Sequence, residues 1–195
     1  MASIGHIAVG MAAARIDRAG RTPRWSWLAA CAAWSALSLV PDADTIGFAL
    51  GVRYEDEWGH RGAMHSVAFS ISLALLVGLV TRLVGLPAKR TTILATVVLT
   101  SHAFLDTLTD GGLGCALWWP FDLTRHFAPW NPIPVAPIGL YFFSPYGLLV
   151  AMTEVVLFAP AWAFAIWPQH IRRSATAVAA ICLWLGSVWL LRRPG

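Results

Sequence analysis

The sequence predicts an all-α fold, a polytopic transmembrane bundle of five to six helices in which the first helix is short. Of the 195 residues, 57% are hydrophobic and only 12% are charged, whereas a soluble domain has about 25% charged residues. The apolar residues form long blocks, and short basic or turn-forming segments separate these blocks. We therefore expect one integral membrane domain over residues 1–195.

Six segments have the composition of helices, and in chain order they are Ser3–Ile16, Trp25–Val40, Met64–Val84, Thr91–Leu108, Gly147–Trp167 and Ser174–Leu191. The first is shorter than the about 20 residues that a membrane crossing needs. Pro41 ends the second, because proline lacks an N–H and its ring clashes with the preceding turn. A polar loop, Asp42–Arg61, follows. A turn at Gly85–Pro87 separates the third segment from the fourth, and a connector rich in proline and tryptophan, Thr109–Tyr146, precedes the fifth.

The basic residues indicate an orientation in the membrane. Lysine and arginine in short loops mark the cytoplasmic side. Three such segments, Arg15–Arg24, Arg82–Arg90 and Arg172–Arg173, contain nine of the fourteen basic residues. The polar loop, the connector and both chain ends would then lie on the non-cytoplasmic face, although Arg192 and Arg193 at the C-terminus oppose this orientation.

The net charge of +4 does not indicate nucleic-acid binding, because the basic residues occupy short loops and no basic surface with interleaved aromatic residues is visible. The cysteines Cys31, Cys115 and Cys182 are scattered and lack the spacing of a metal site.

Two ionisable residues interrupt the fourth apolar segment. His102 and Asp106 are four residues apart, so they project from one helix face about one turn apart. Ionisable groups inside a membrane segment are costly and usually face the bundle interior or a water-filled cavity. Taken alone, the pair fits a functional site and a structural hydrogen bond between helices equally well.

Further histidines and aspartates occur near the ends of the other predicted helices. His6 lies in the first segment, Asp42 and Asp44 directly follow the second, and His60 and His65 begin the third. Imidazole and carboxylate groups form a mixed ligand set that suits Zn²⁺, Mn²⁺ or Fe²⁺, and bundles build metal sites from facing helices. The predicted metal ligands are His6, Asp42, Asp44, His65, His102 and Asp106, with His60 as a further candidate.

Ordered motifs connect these residues to a known family. They are His6, PDxD at Pro41–Asp44, HRGxxHS at His60–Ser66, HxxxDxxTxxG at His102–Gly112, and Trp119-Pro120-Phe121. This order resembles the YdjM-like inner-membrane proteins, a family regarded as metal-dependent hydrolases. The motifs match from residue 6 to about 121, and the last third matches only as hydrophobic helices. The resemblance implies a multi-pass protein of the bacterial inner membrane with a divalent metal.

The ligand order is also similar to that of zinc-dependent phospholipase C, an all-helical phosphodiesterase family with a multi-zinc site. Carried over by motif, the ligands of one ion would be Asp42 or Asp44, His65, His102 and Asp106. A second ion would be held by His6 and a bridging Asp106. The further downstream ligands of that family have no clean match, since His126 and Glu154 have the wrong spacing. For Glu154 we expect a hydrogen bond to a neighbouring helix.

The predicted function is metal-dependent hydrolysis of a membrane lipid or lipid-linked phosphoester, with one or two ions, of which Zn²⁺ is favoured. Arg61 is the candidate for gripping a phosphate, because its planar guanidinium matches two phosphate oxygens. A surface pairing with the acidic run Glu55–Glu57 fits Arg61 equally well. One of Asp42, Asp44 or Asp110 would be general base or partner of a ligating histidine.

Other classes of protein stay open. A metal-independent lipid phosphatase also uses an HxxxD motif, but the uncharged stretch Ile93–Ser101 lacks the arginine expected there. A metal transporter or sensor would bind its ion near the bilayer midplane, whereas these ligands gather near one face. A metalloprotease would need HExxH, which the sequence lacks. A structural protein, the substrate and the oligomeric state also stay open.

Overall fold

A computed structural model describes residues 3–18 and 26–167. Its α-helices are α1 Ser3–Arg18, α2 Trp27–Ser38, α3 Val67–Leu83, α4 Ala88–Thr107, α5 Pro145–Leu157 and α6 Ala159–Ile166. The 3-10 segments are Val40–Leu50, Ala63–His65 and Gly139–Phe143. The described residues contain no β-strand, only an isolated bridge between Cys115 and His126. The predicted all-α class is thus confirmed for the described residues.

The chain divides into two compact units. Unit 1 comprises Met1–Ser35 and Pro132–Gly195, and unit 2 comprises Ala36–Asn131. The predicted helix Ser174–Leu191 and the basic pair Arg172–Arg173 lie outside the described residues.

In unit 1, α1 packs closely against its neighbours because glycines leave room for them. A Cβ added at Gly5 would collide with the ring of Phe158, and one added at Gly10 would collide with the backbone of Ser35. The buried Glu154 carboxylate accepts hydrogen bonds from the backbone N–H groups of Ile4 and Gly5, at 2.8 and 2.9 Å. This confirms the expected contact with a neighbouring helix. It also satisfies first-turn donors of α1 and places a negative charge at the positive end of its dipole.

The predicted helix Gly147–Trp167 is broken in the structure. It forms α5 and α6, which bend by 64° at their junction. Pro160, in the first turn of α6, explains the break, because its ring and missing N–H cannot continue the helix from α5. Among the described residues no single helix is both long and apolar enough to cross a membrane; α5 and α6 meet the length and composition required only as a bent pair. The multi-pass topology therefore stays a prediction.

In unit 2, α3 and α4 pack together as a hairpin. The turn between them contains Gly85 with a φ of 70°, a left-handed conformation that glycine adopts without strain. A Cβ at Gly78 on α3 would collide with the Thr92 side chain on α4, so the two helices approach closely there. The hairpin provides the rigid frame on which the polar residues of unit 2 are arranged.

The segment after α2 is more ordered than predicted. The α-helix ends before Pro41, as expected, but the chain continues as the 3-10 segment Val40–Leu50 rather than as a polar loop. Hydrogen bonds between residues three apart remain available there, as between Asp42 N–H and the Leu39 carbonyl at 3.1 Å. Gly51, with a φ of 85°, ends the segment. Runs of 3-10 helix this long are uncommon, and this one carries Asp42 and Asp44.

Candidate metal centre

The buried face of α4 carries the first two site residues. His102 and Asp106 are one helical turn apart, and both are fully buried. The Nδ1 atom of His102 lies 2.7 Å from the backbone carbonyl oxygen of Ser38, at the end of α2. This contact fixes the imidazole ring and directs its Nε2 atom away from α2.

The 3-10 segment supplies two carboxylates with different partners. Asp42 and Asp44 are 6% and 5% exposed. Asp42 Oδ1 lies 3.5 Å from His65 Nε2 and 3.4 Å from His102 Nε2. Asp44 instead contacts His60 and the other ring nitrogen of His65.

His65 occupies a short turn at the start of α3. It ends the 3-10 segment Ala63–His65, and Ser66 follows as the N-cap of α3. The Ser66 side-chain oxygen accepts a hydrogen bond from Phe69 N–H at 3.0 Å, which satisfies a donor of the first turn. The His-Ser pair therefore directs an imidazole into unit 2 and begins the helix behind it.

Four buried residues converge on one point. The ligand atoms of Asp42, His65, His102 and Asp106 all lie within 4.8 Å of one another. The two Nε2 atoms of His65 and His102 are 3.2 Å apart, and His65 Nε2 lies 3.5 Å from Asp106 Oδ2. These residues come from stretches of chain up to 64 positions apart, so only the tertiary fold brings them together.

The contacts of the ring nitrogens explain why this cluster suits a cation. A carbonyl oxygen can only accept a hydrogen bond, so His102 donates from Nδ1 to Ser38 and its Nε2 is the nitrogen that faces the cluster. His65 Nδ1 lies 3.0 Å from the Asp44 carboxylate, and its Nε2 also faces the cluster. Two imidazoles and two carboxylates then face one another in a buried space. Such a set is favourable only around a shared positive charge, either an imidazole proton or a metal ion.

The spacing also fits a metal ion. Metal–ligand bonds of about 2.0–2.1 Å in a tetrahedron require ligand atoms about 3.3–3.4 Å apart. Four of the six separations among these ligand atoms are 3.2, 3.4, 3.5 and 3.5 Å, and all six lie within 4.8 Å. The donor set is the mixed imidazole and carboxylate type that divalent transition metals prefer. These four residues could therefore hold a metal ion.

The electrostatics of His65 agree with this conclusion. Burial disfavours a charged imidazole, but the carboxylates of Asp106, Asp42 and Asp44 outweigh it and raise the pKa of His65 well above its usual value. The pocket therefore attracts positive charge, which either a proton or a metal ion can supply.

A second group of candidate ligands adjoins the first and shares His65 with it. It consists of Asp44, His60 and His65, all buried. Asp44 Oδ1 lies 2.7 Å from His60 Nδ1, and Oδ2 accepts from Arg61 N–H at 3.1 Å. Burial opposes the ionisation of Asp44, but the imidazoles of His60 and His65 lower the pKa of its carboxyl group. Burial lowers the pKa of His60, although Asp44 partly opposes the shift. Both oxygens of Asp44 thus already contact donors.

Arg61 is fully buried, with a φ of 64° that is unusual for a residue other than glycine. Its Nε donates to Asp106 Oδ2 at 3.1 Å, its Nη1 to the Gly111 carbonyl at 2.7 Å, and its Nη2 to Thr109 Oγ1 at 2.8 Å. These partners are not the acidic run Glu55–Glu57. Binding of a substrate phosphate by Arg61 stays a prediction. Each of the three guanidinium nitrogens already donates one hydrogen bond within the protein.

The end of the HxxxDxxTxxG motif surrounds this guanidinium. Thr109 and Gly111 supply two of its acceptors. Gly112 has a φ of 89°, and an added Cβ would lie 2.6 Å from Tyr54 Oη and 2.9 Å from Arg61 Nη1. The threonine and the glycine of the motif therefore accommodate Arg61, a role that their spacing alone does not reveal.

Sequence reasoning missed Arg125, which organises the loop before His60. Its Nη1 donates to the His60 carbonyl at 2.6 Å, and its Nη2 donates to the carbonyls of Tyr54 and Asp56 at 3.0 and 2.9 Å. An arginine in an irregular connector gives no local signal of such contacts, because all of its partners lie more than 60 positions earlier.

The remaining predicted residues lie elsewhere. His6 is buried on α1 in unit 1 and stays a predicted ligand. Asp110 is exposed, directly after the end of α4. His126 is 37% exposed at its side chain and lies 3.8 Å from Asp122, which agrees with a surface role.

Fold and site together define a helical protein with a buried His/Asp cluster that could hold a metal ion. The family model described as YdjM inner membrane protein matches residues 1–194, and the chain belongs to this family. A curated relative, inner membrane protein YbcI of Escherichia coli strain K12, is 40% identical over 124 residues, which cover 62% of this chain and 70% of the relative. No solved structure matches the chain significantly. The family and the relative support an inner-membrane location.

Proposed function

We propose that this protein is a membrane-embedded, metal-dependent hydrolase that acts on a lipid-linked phosphoester at the membrane interface. The observation that carries the proposal is the convergence of two imidazole nitrogens and two carboxylates in a buried site, with all four ligand atoms within 4.8 Å of one another. Two carboxylates and two imidazoles that meet at one buried point concentrate negative charge and nitrogen ligands there, which is the arrangement that a bound cation stabilises.

The proposed ion is divalent, with Zn²⁺ favoured and Mn²⁺ or Fe²⁺ as alternatives. When bound, it would supply a water molecule whose pKa is lowered towards neutrality. Among the four ligands, Asp42 is 6% exposed and the other three are fully buried.

The surrounding residues have distinct proposed tasks. The Ser38 carbonyl and Asp44 orient the imidazoles of His102 and His65 so that both Nε2 atoms face the ion. Both oxygens of Asp44 already contact hydrogen-bond donors, and its lowered pKa makes it a weaker base. Asp110 is exposed and directly follows Thr109, which contacts Arg61. It is the carboxylate that we assign as general base.

A lipid-linked substrate is supported by the family and by exposed aromatic residues of unit 2. Trp58, Trp118 and Phe121 are 54%, 52% and 93% exposed. The ring of Trp58 packs against Trp119 at a centroid distance of 5.4 Å. Exposed tryptophans are typical of the membrane–water interface. Such a location favours a phospholipid or polyprenyl phosphate, and the distribution of basic residues favours the non-cytoplasmic face.

The test compares the purified full chain with His102→Ala and, as a matched control, His126→Ala. Elemental analysis measures bound metal, and hydrolysis of a phosphodiester reporter and of phosphatidic acid in mixed micelles is measured with and without chelator. We expect metal and chelator-sensitive hydrolysis in the wild type and the control, and loss of both in His102→Ala.

Several results would contradict the proposal. Wild-type protein without metal would remove its basis. Full metal occupancy in His102→Ala would exclude this cluster as the site. Hydrolysis that persists in chelator would instead support a metal-independent lipid phosphatase, and bound metal without hydrolysis of any phosphoester would support a transporter or sensor.

A further inference from the structure

Arg61 contacts the carboxylates on both sides of the cluster. Its backbone N–H donates to Asp44 Oδ2 at 3.1 Å, and its side-chain Nε donates to Asp106 Oδ2 at 3.1 Å. Asp44 in turn lies 3.0 Å from the Nδ1 atom of His65. One residue therefore connects a candidate ligand, Asp106, with the carboxylate that orients another.

The guanidinium has the surroundings of a fixed structural cation. The side chain is fully buried, and each of its three nitrogens donates to an acceptor at 3.1 Å or less. A group that grips a substrate phosphate must present at least two donors towards the open site. In Arg61 three of the five N–H donors are directed instead to Asp106, Thr109 and the Gly111 carbonyl, and the side chain has no exposure to solvent.

We propose that Arg61 is a positioning residue, which holds Asp106 and Asp44 in place around the metal ion and does not bind the substrate phosphate. The proposal rests on the metal-binding part of the proposed function. It gives the HRG and HxxxDxxTxxG motifs a joint role. The first motif supplies Arg61, and the second supplies the ligand Asp106 and the acceptors that hold the Arg61 side chain beside it.

The physical reason lies in the charge and shape of the guanidinium. A buried carboxylate needs a partner with the opposite charge and fixed geometry to keep one lone pair directed at a metal. Lysine keeps the charge, but its three donors share one nitrogen and cannot reproduce the planar fork whose separate nitrogens reach Asp106, Thr109 and Gly111. Arg61→Lys thus keeps the positive charge and removes the planar fork, so the variant tests the geometry of the side chain alone.

The experiment titrates metal-free full-length protein in detergent with Co²⁺ and follows the visible absorption of the bound ion. The variants are Arg61→Lys and, as a matched control, Arg53→Lys. Arg53 lies on the same loop, but its side chain is 71% exposed and pairs with Glu55 and Asp56. Loss of a partner that orients a ligand typically weakens metal binding by about 10–100-fold. We expect a loss of that size and an altered spectrum for Arg61→Lys, and wild-type behaviour for the control.

Kinetics at saturating metal distinguish the two roles of Arg61. A positioning role predicts that KM for the phosphodiester reporter changes less than twofold in Arg61→Lys. A phosphate-gripping role predicts the opposite pattern, with wild-type Co²⁺ affinity and spectrum and a raised KM. That opposite pattern would overturn the proposal.

A second variant covers the case in which Arg61→Lys does not fold. Thr109→Val keeps the shape of the side chain but removes the acceptor for Nη2. We expect weaker Co²⁺ binding at the lower end of the same range, and unchanged Co²⁺ affinity in this variant would count against the proposal. Failure of the wild type to bind Co²⁺ would refute the metal site itself, which is a separate result.

Discussion

The contact between Gly112 and Arg61 can be tested with a pair of glycine substitutions. Gly112 and Gly51 have nearly the same backbone conformation, with φ of 89° and 85°. A Cβ at Gly51 would meet no atom within 4 Å, whereas one at Gly112 would lie 2.9 Å from Arg61 Nη1 and 2.6 Å from Tyr54 Oη. Gly51→Ala thus measures the backbone strain alone, and Gly112→Ala measures the strain and the collision.

The expected magnitudes follow from these distances. Left-handed backbone costs a residue other than glycine about 1–2 kcal/mol. To reach the 3.4 Å of an ordinary contact, Arg61 Nη1 would have to move by 0.5 Å. Because the guanidinium is rigid, a shift of that size also displaces Nε, whose 3.1 Å bond to Asp106 is the longest of the three bonds that the side chain makes and is therefore expected to weaken. A hydrogen bond to a charged group contributes about 1.5–3 kcal/mol. We therefore expect a loss of about 1–2 kcal/mol for Gly51→Ala and about 3–5 kcal/mol for Gly112→Ala.

Thermal unfolding of the detergent-solubilised protein measures the difference. Tryptophan fluorescence is a suitable signal, since the chain has 11 tryptophans. A difference of about 2 kcal/mol corresponds to roughly 4–8 °C in Tm for a protein of this size. Gly112→Ala should also weaken Co²⁺ binding, and Gly51→Ala should not. Equal shifts in Tm together with equal Co²⁺ affinities would show that the contact between Gly112 and Arg61 is unimportant.

Two other changes have defined outcomes. Metal at 100 times its Kd should stabilise the folded state by about 2.7 kcal/mol. Chelator should therefore lower Tm by roughly 5–11 °C in the wild type and should leave Tm unchanged in His102→Ala. A decrease in Tm on adding chelator to His102→Ala would count against the assigned ligands. Glu154→Leu leaves the N–H groups of Ile4 and Gly5 without their carboxylate, and we expect a loss of about 2–4 kcal/mol in the free energy of unfolding. Glu154→Gln retains an acceptor oxygen and should lose less, so equal losses measured by denaturant unfolding would contradict the capping role.

The local features of the fold were predictable from neighbouring residues. The i, i+4 spacing of His102 and Asp106 places both on one face of α4 wherever that helix packs. Pro41 ends α2 because of its own ring. Pro160 carried the same kind of signal, and the single helix predicted across it was wrong. The 3-10 geometry of Val40–Leu50 was not predictable, because apolar and polar residues follow no helical period there.

The partner of Arg61 shows where sequence reasoning ends. The sequence left two partners open for the Arg61 side chain, a substrate phosphate and the acidic run Glu55–Glu57, because an arginine can pair with either. The structure pairs the guanidinium with Asp106, 45 positions later, and with the loop that follows it. Which charges meet depends on how the α3–α4 hairpin and the 3-10 segment pack, and that packing is a sum of many weak contacts spread along the chain.

The sequence by itself determined the helical class, the apolar character and the kinds of side chain available as ligands, because composition and helical period are properties of adjacent residues. Tertiary structure alone decided that Asp42, His65, His102 and Asp106 meet at one buried point, and that Asp44 and Arg61 contact this cluster. The physical reason is distance along the chain. A metal site requires atoms placed to within a few tenths of an ångström, and only the packed fold imposes that on residues up to 64 positions apart.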